Sequence, residues 1–144
     1  MKRKHSLPCL FLISTLVLST GCVSLNSRQK SEFQAMKAAD LHVEEKSPGT
    51  AIALGFLPGG GSFYTRQWGL GILDLLLWPF SILWDPIAGY EAALVINYDE
   101  SKHHAKRNLQ KEMNALDERV ERKEITDEQY RRERKKIEQK HTFD

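Results

Sequence analysis

The apolar residues of this chain fall into two blocks, 8–18 and 50–96, and the last third is almost entirely charged and polar. That segregation constrains the fold more than any other feature, because a single evenly mixed core needs apolar residues spread along the chain. Separate segments must therefore do separate physical jobs. At 144 residues there is room for at most one modest domain besides them.

The first block reads as an export signal. Lys2-Arg3-Lys4-His5 is a positive start, and Pro8 to Leu18 is an apolar run too short to cross a bilayer of about 30 Å as a helix. Small residues follow, then Cys22. Cutting before Cys22 removes Lys2, Arg3 and Lys4 and leaves 18 basic against 19 acidic residues, a formal charge of −1. A near-neutral product gives no electrostatic reason to expect nucleic acid as a partner. The cut also discards Cys9, so Cys22 would stand alone, with no intramolecular disulfide available.

Leu18-Ser19-Thr20-Gly21-Cys22 resembles the lipobox of bacterial lipoproteins. The resemblance implies that residues 1–21 are a signal peptide and that the Cys22 thiol carries diacylglycerol. Two or three acyl chains, at about 0.8 kcal/mol per buried CH₂, would make release from the membrane negligible. Val23, where an aspartate would signal inner-membrane retention in enterobacteria, favours the outer membrane, on its periplasmic face.

Residues 22–46 are expected to be a lipid-anchored tether, loose from Ser24 to Ser31, with Phe33, Met36, Ala39 and Leu41 on one side of a short helix. Residues 47–98, which contain the second apolar block, are expected to form an apolar hairpin region. Thr50 to Leu57 covers about 12 Å as a helix, under half of the hydrocarbon core. Trp68 to Trp84 covers about 25 Å, but its apolar gain of about 3–5 kcal/mol is largely offset by about 3 for Asp74. Between them lies Pro58-Gly59-Gly60-Gly61-Ser62, a sharp turn. Gly59, Gly61, Phe63, Tyr64 and Gly69 give this region a likeness to the TM-two domain, a pair of hydrophobic helices around a Gly-rich turn.

The preferred arrangement is a hairpin lying in the periplasmic leaflet or packed on partner subunits. Trp68, Trp78, Trp84, Tyr64 and Tyr90 would then sit at the headgroup boundary. A two-span hairpin and the dry core of a small soluble domain are the alternatives. Asp74 is the candidate functional acid: an acid in an apolar stretch is costly, and pairing with Arg66 or capping a helix break would compensate it. Asp85, before Pro86, reads as the N-cap of a helix that starts near Ile87.

Residues 99–144 are expected to be a charged helical hairpin. Leu109, Met113, Leu116 and Val120 recur at four-three-four spacing, a narrow helical seam. Thr126-Asp127-Glu128-Gln129 fits a capping box, with Ile125 and Tyr130 placed for a hydrophobic staple. One helix should end near Arg122 and the next begin at Asp127. Leu116, Ile125-Thr126, Glu128, Tyr130 and Ile137 give this segment a resemblance to the SHOCT motif, a short C-terminal helical hairpin for which oligomerisation or contact with other macromolecules is proposed. Lys123-Glu124 stands where that family often has glycine, which predicts a looser turn.

The expected fold class is mainly α. No Ser-His-Asp, Cys-His or paired-carboxylate arrangement stands out, so neither an enzyme nor a cofactor is expected. His103 and His104, as helix neighbours, point about 100° apart and cannot both hold one metal. The sequence points to an envelope lipoprotein of structural or interaction type, with membrane lipid bound through Cys22. A protein partner, or a second copy, would be met by the C-terminal helices. The alternative is a membrane-active or transport-accessory protein whose apolar hairpin enters lipid.

Overall fold

The computed structural model describes residues 23–143. Cys22, its proposed lipid and the leader lie outside the described residues. The fold is mainly α, with six α-helices and no strand among the described residues.

Helix α1, Ser27–Ala38, starts at a capping box: the Asn26 side chain accepts from Gln29 N, and the Gln29 side chain accepts from Asn26 N, both at 2.9 Å. Ser27 to Ser31, expected as tether, are therefore the first turns of a helix. Leu25, Phe33 and Met36 are buried with Tyr98, and Leu94, Val95 and Phe143 pack against them. Glu32 accepts from Tyr98 Oη at 2.5 Å and pairs with Lys102 at 3.4 Å, which ties α1 to the long helix.

The segment from Leu41 to Lys46 is not helical. It runs along two buried polar side chains, one turn apart, on the long helix. Val43 N donates to Ser101 Oγ at 2.9 Å, and Lys46 N donates to Asn97 Oδ1 at 2.8 Å. Asn97 Nδ2 returns a bond to Lys46 O at 2.7 Å. Backbone that would otherwise be orphaned is thereby satisfied.

The apolar block is not a two-helix hairpin but a knot of short pieces. Helix α2, Pro48–Gly55, has Ser47 as N-cap and Pro48 at its first turn. Gly59, at φ 70°, reverses the chain, and α3, Gly60–Tyr64, begins inside the Gly-rich turn itself. Helix α4, Trp68–Leu76, ends before Pro79, and a single 3-10 turn, Phe80–Leu83, follows. The second apolar stretch is thus broken where its proline forbids continuous helix.

Helix α5, Asp85–Glu121, is 37 residues long, about 55 Å at 1.5 Å per residue. It starts in the apolar knot, crosses position 98 without a break and ends in the charged region. Its C-terminus closes as a Schellman motif: Lys123 N bonds Val120 O at 2.8 Å, and Glu124 N bonds Arg119 O at 2.9 Å. Lys123 adopts φ 58°, so the expected looseness is replaced by a tight turn with lysine in the conformation that glycine favours.

Helix α6, Asp127–Lys140, carries the anticipated Thr126–Gln129 capping box with both bonds formed. It folds back along α5. Leu116 is buried in this junction, and Ile125, Tyr130 and Ile137 are half-buried. Tyr130 Oη donates to Asp117 at 2.9 Å, Arg119 pairs with Glu133 at 2.5 Å, and Lys140 with Glu112 at 2.7 Å.

Candidate functional site: an inverted apolar head

Residues 47–90 form a head with its polarity reversed. Leu76, Phe80 and Leu83 are 75%, 66% and 76% exposed, and Phe56, Leu57, Trp68, Ile72, Leu75, Trp78 and Ile87 are more than half exposed. Inside, the largest fully buried side chains are those of Ser62, Asp74, Ser81 and Asp85, beside the small Ala51. A water-soluble core places these residue types the other way round. So many exposed large apolar side chains are uncommon on a monomeric soluble protein.

Small residues let the pieces approach closely enough to bury so little apolar volume. A Cβ on Gly55 would lie 2.5 Å from Pro86 Cα, and one on Gly71 would lie 2.7 Å from the Phe63 ring. Ala51, Gly61 and Gly89 meet in the same way where α2, α3 and α5 cross. Helices that cannot rely on expelling water pack by such close backbone contact, with polar groups as ties.

The polar tie here centres on Ser62. Asp85 accepts from Gly61 N at 3.2 Å, from Ser62 N at 3.0 Å and contacts Ser62 Oγ at 2.7 Å. Asp74 Oδ2 lies 2.8 Å from the same Ser62 Oγ, while its Oδ1 accepts from Trp84 Nε1 at 2.7 Å. One hydroxyl therefore joins α3, α4 and α5. Burial pushes the Asp85 carboxyl above the usual range; bonds from Ser62 oppose this, and the neighbouring Asp74 adds to it. Since Ser62 is 1% exposed, its hydroxyl can hold and share a proton but cannot meet a substrate.

Several expectations change at this site. Asp74 is bound by Ser62 and Trp84, and Arg66 pairs instead with Glu45 at 2.5 Å. Asp85 does not cap its own helix, which has no side-chain cap; its carboxylate serves the first backbone N–H groups of α3. Trp84 turns its indole N–H inward to Asp74, while the residue stays 39% exposed. Tyr64 Oη accepts from Ser47 N at 3.0 Å, with Lys46 Nζ 4.6 Å from its ring centre. Of the five turn residues, Gly59, Gly61, Phe63 and Tyr64 are built into the knot, while a Cβ on Gly69 would meet nothing within 4 Å.

Charge is nearly absent from the head surface. Over residues 47–90 the only charged side chains are Arg66, Asp74 and Asp85, and both acids are buried. Among the described residues no helix is long and apolar enough to cross a membrane.

A groove of about 560 Å³ lies elsewhere, where α1, α5 and the C-terminal tail meet. Two of its cations, Arg28 and Lys102, pair with Glu32 at 3.1 and 3.4 Å, and Lys106 also lines it. The basic run Arg131 to Lys136 is interleaved with acids: Arg132 pairs with Glu128 and Arg134 with Glu138. His103 and His104 project from α5, and no group of three or more His, Cys, Asp or Glu among the described residues is placed to hold a metal ion.

Ser62 and Trp84 were not legible as site residues. The signal that could have found them is the pair of acids eleven positions apart in one apolar block. Neither can be buried without donors, and Ser62 and Trp84 are among the few that the block contains. No known protein family, curated protein or solved structure matches this chain.

Proposed function

We propose that this chain is a lipid-anchored envelope protein whose head docks in one membrane leaflet and whose charged helical hairpin is held above the surface to meet a partner. The observation that carries the reading is the inversion of the head: large apolar side chains outside, acids and hydroxyls inside. Hydrocarbon or an apolar protein surface is the solvent that such an object suits, and hydrocarbon needs no specific complement.

Geometry supports a shared plane for head and lipid. Cys22 precedes Leu25 by three residues, a reach of at most about 10 Å. Leu25 packs in the cluster with Tyr98 and Leu94, and Leu94 lies one helical turn beyond Tyr90 at the margin of the head. Acyl groups on Cys22 would thus enter the leaflet that the head occupies. From Glu91 onward α5 is increasingly polar and runs about 45 Å to Glu121.

The test uses Cys22→Ser, which removes the acyl contribution. That chain is expected to float with neutral phosphatidylcholine vesicles and to stay bound in high salt, because the head offers hydrocarbon contact and almost no charge. A Cys22→Ser chain found wholly in the soluble fraction would reject the docking head. Deleting residues 105–144 should remove co-purifying partners while leaving membrane attachment intact.

A further inference from the structure

The contacts of Ser62 do not balance if both neighbouring acids are ionised. A serine hydroxyl has one hydrogen to donate. Ser62 Oγ nevertheless lies 2.7 Å from Asp85 Oδ1 and 2.8 Å from Asp74 Oδ2, both hydrogen-bond distances. Its hydrogen can occupy only one of these contacts. The other is either repulsion between oxygen lone pairs or a bond donated by a carboxyl O–H.

The remaining bonds show where a hydrogen is missing. Both oxygens of Asp85 accept backbone N–H groups, from Gly61 and Ser62. Asp74 Oδ1 accepts from Trp84 Nε1, and among the described residues Ser62 Oγ is the one group at hydrogen-bond distance from its Oδ2. A hydrogen between Asp74 Oδ2 and Ser62 Oγ, with the serine hydrogen directed at Asp85 Oδ1, satisfies every contact.

No cation substitutes for that proton. Among the described residues none bonds or pairs with either carboxyl. Helix α2 and the 3-10 turn carry no titratable group, and α4 carries only Asp74. Tyr64 of α3 is bound to Ser47, Lys46 lies over the Tyr64 ring, Arg66 is paired with Glu45, Tyr90 is exposed, and Glu91 lies six residues along α5 from Asp85, about 9 Å along the axis and about 120° round it.

We propose that Asp74, Ser62 and Asp85 share one proton that latches the head shut, and that losing this proton as pH rises loosens the head. The latch does not depend on what covers the apolar surface, so it stands or falls separately from membrane docking. Because burial raises the Asp85 carboxyl, the folded head binds protons more tightly than the unfolded chain, and its stability falls as pH climbs above the ordinary aspartate range of about 3.9.

The test is a series of melting curves of the full chain in neutral detergent micelles. The wild-type melting temperature should fall by at least about 4 °C between roughly pH 5 and pH 9. Asp74→Asn copies the one-proton state, with its carbonyl toward Trp84 and its amide N–H toward Ser62 Oγ, and should flatten that slope. A wild type insensitive to pH, or an Asp74→Asn chain with the wild-type slope, would overturn the proposal. Should the variant fail to fold, infrared spectroscopy of the wild type decides. A protonated-carboxyl band at neutral pH that shifts in D₂O and disappears at alkaline pH is expected, and absence of that band at neutral pH would overturn the latch.

Discussion

Replacing Leu76, Phe80 and Leu83 together by serine separates a lipid-facing surface from a core. The three side chains are 75%, 66% and 76% exposed. Full burial of such a side chain contributes about 1.5–3 kcal/mol, so the exposed fraction is worth about 1–2 kcal/mol each on entering hydrocarbon. Together they supply about 3–6 kcal/mol, or a partition weaker by roughly 10²- to 10⁴-fold when they are removed. The same substitutions at exposed positions should change folding stability by no more than about 0.5 kcal/mol each. In a Cys22→Ser background, vesicle flotation should therefore collapse while the melting temperature holds. Flotation that survives the triple substitution would refute membrane docking through this face. A large fall in melting temperature in vesicle-free solution would show that these residues are core and that the inversion is wrong.

Three further outcomes follow from the packing. Gly55→Ala places a methyl group 2.5 Å from Pro86 and should cost about 1–3 kcal/mol, whereas Gly69→Ala meets open space and should be neutral or mildly stabilising; thermal melts of both compare them directly. Lys123→Gly relieves a left-handed lysine in the Schellman turn and should raise stability by about 1 kcal/mol, read as a higher melting temperature; a decrease would contradict the strained turn. The Tyr98 hydroxyl, and then Lys102, hold the Glu32 carboxyl below its usual range, so that contribution is present above about pH 4.3 and is lost as pH falls. Melting curves of wild type and Tyr98→Phe should accordingly differ near neutrality and converge in acid, and a gap of constant size would reject the assignment.

Much of the helical periphery was legible because its signals are local. Thr126-Asp127-Glu128-Gln129 specifies a helix start by neighbouring bonds alone, and α6 begins at Asp127. Asn26-Ser27-Arg28-Gln29 has the same form, and reading it would have placed α1 at once instead of a tether. The head was legible in composition but not in geometry. Its apolar block announces unusual surroundings, yet four short pieces pack through a glycine reversal, a proline stop and small-residue contacts far apart in sequence. Asp74 stood out as costly, and Asp85 as a helix cap. Their meeting through Ser62 is a tertiary fact that no local pattern encodes. Asn97 and Ser101 were invisible for the same reason, since their partners lie about fifty residues upstream.

The unbroken course of α5 makes the molecule a lever. One stiff shaft carries the head at one end and the returning hairpin at the other, with no hinge between them. Small rotations of the head are magnified at the far tip: over about 45 Å of shaft, a tilt of about 10° sweeps the hairpin's turn through about 8 Å. Any influence on how the head is seated would be felt at the distant end as a change of height and aim.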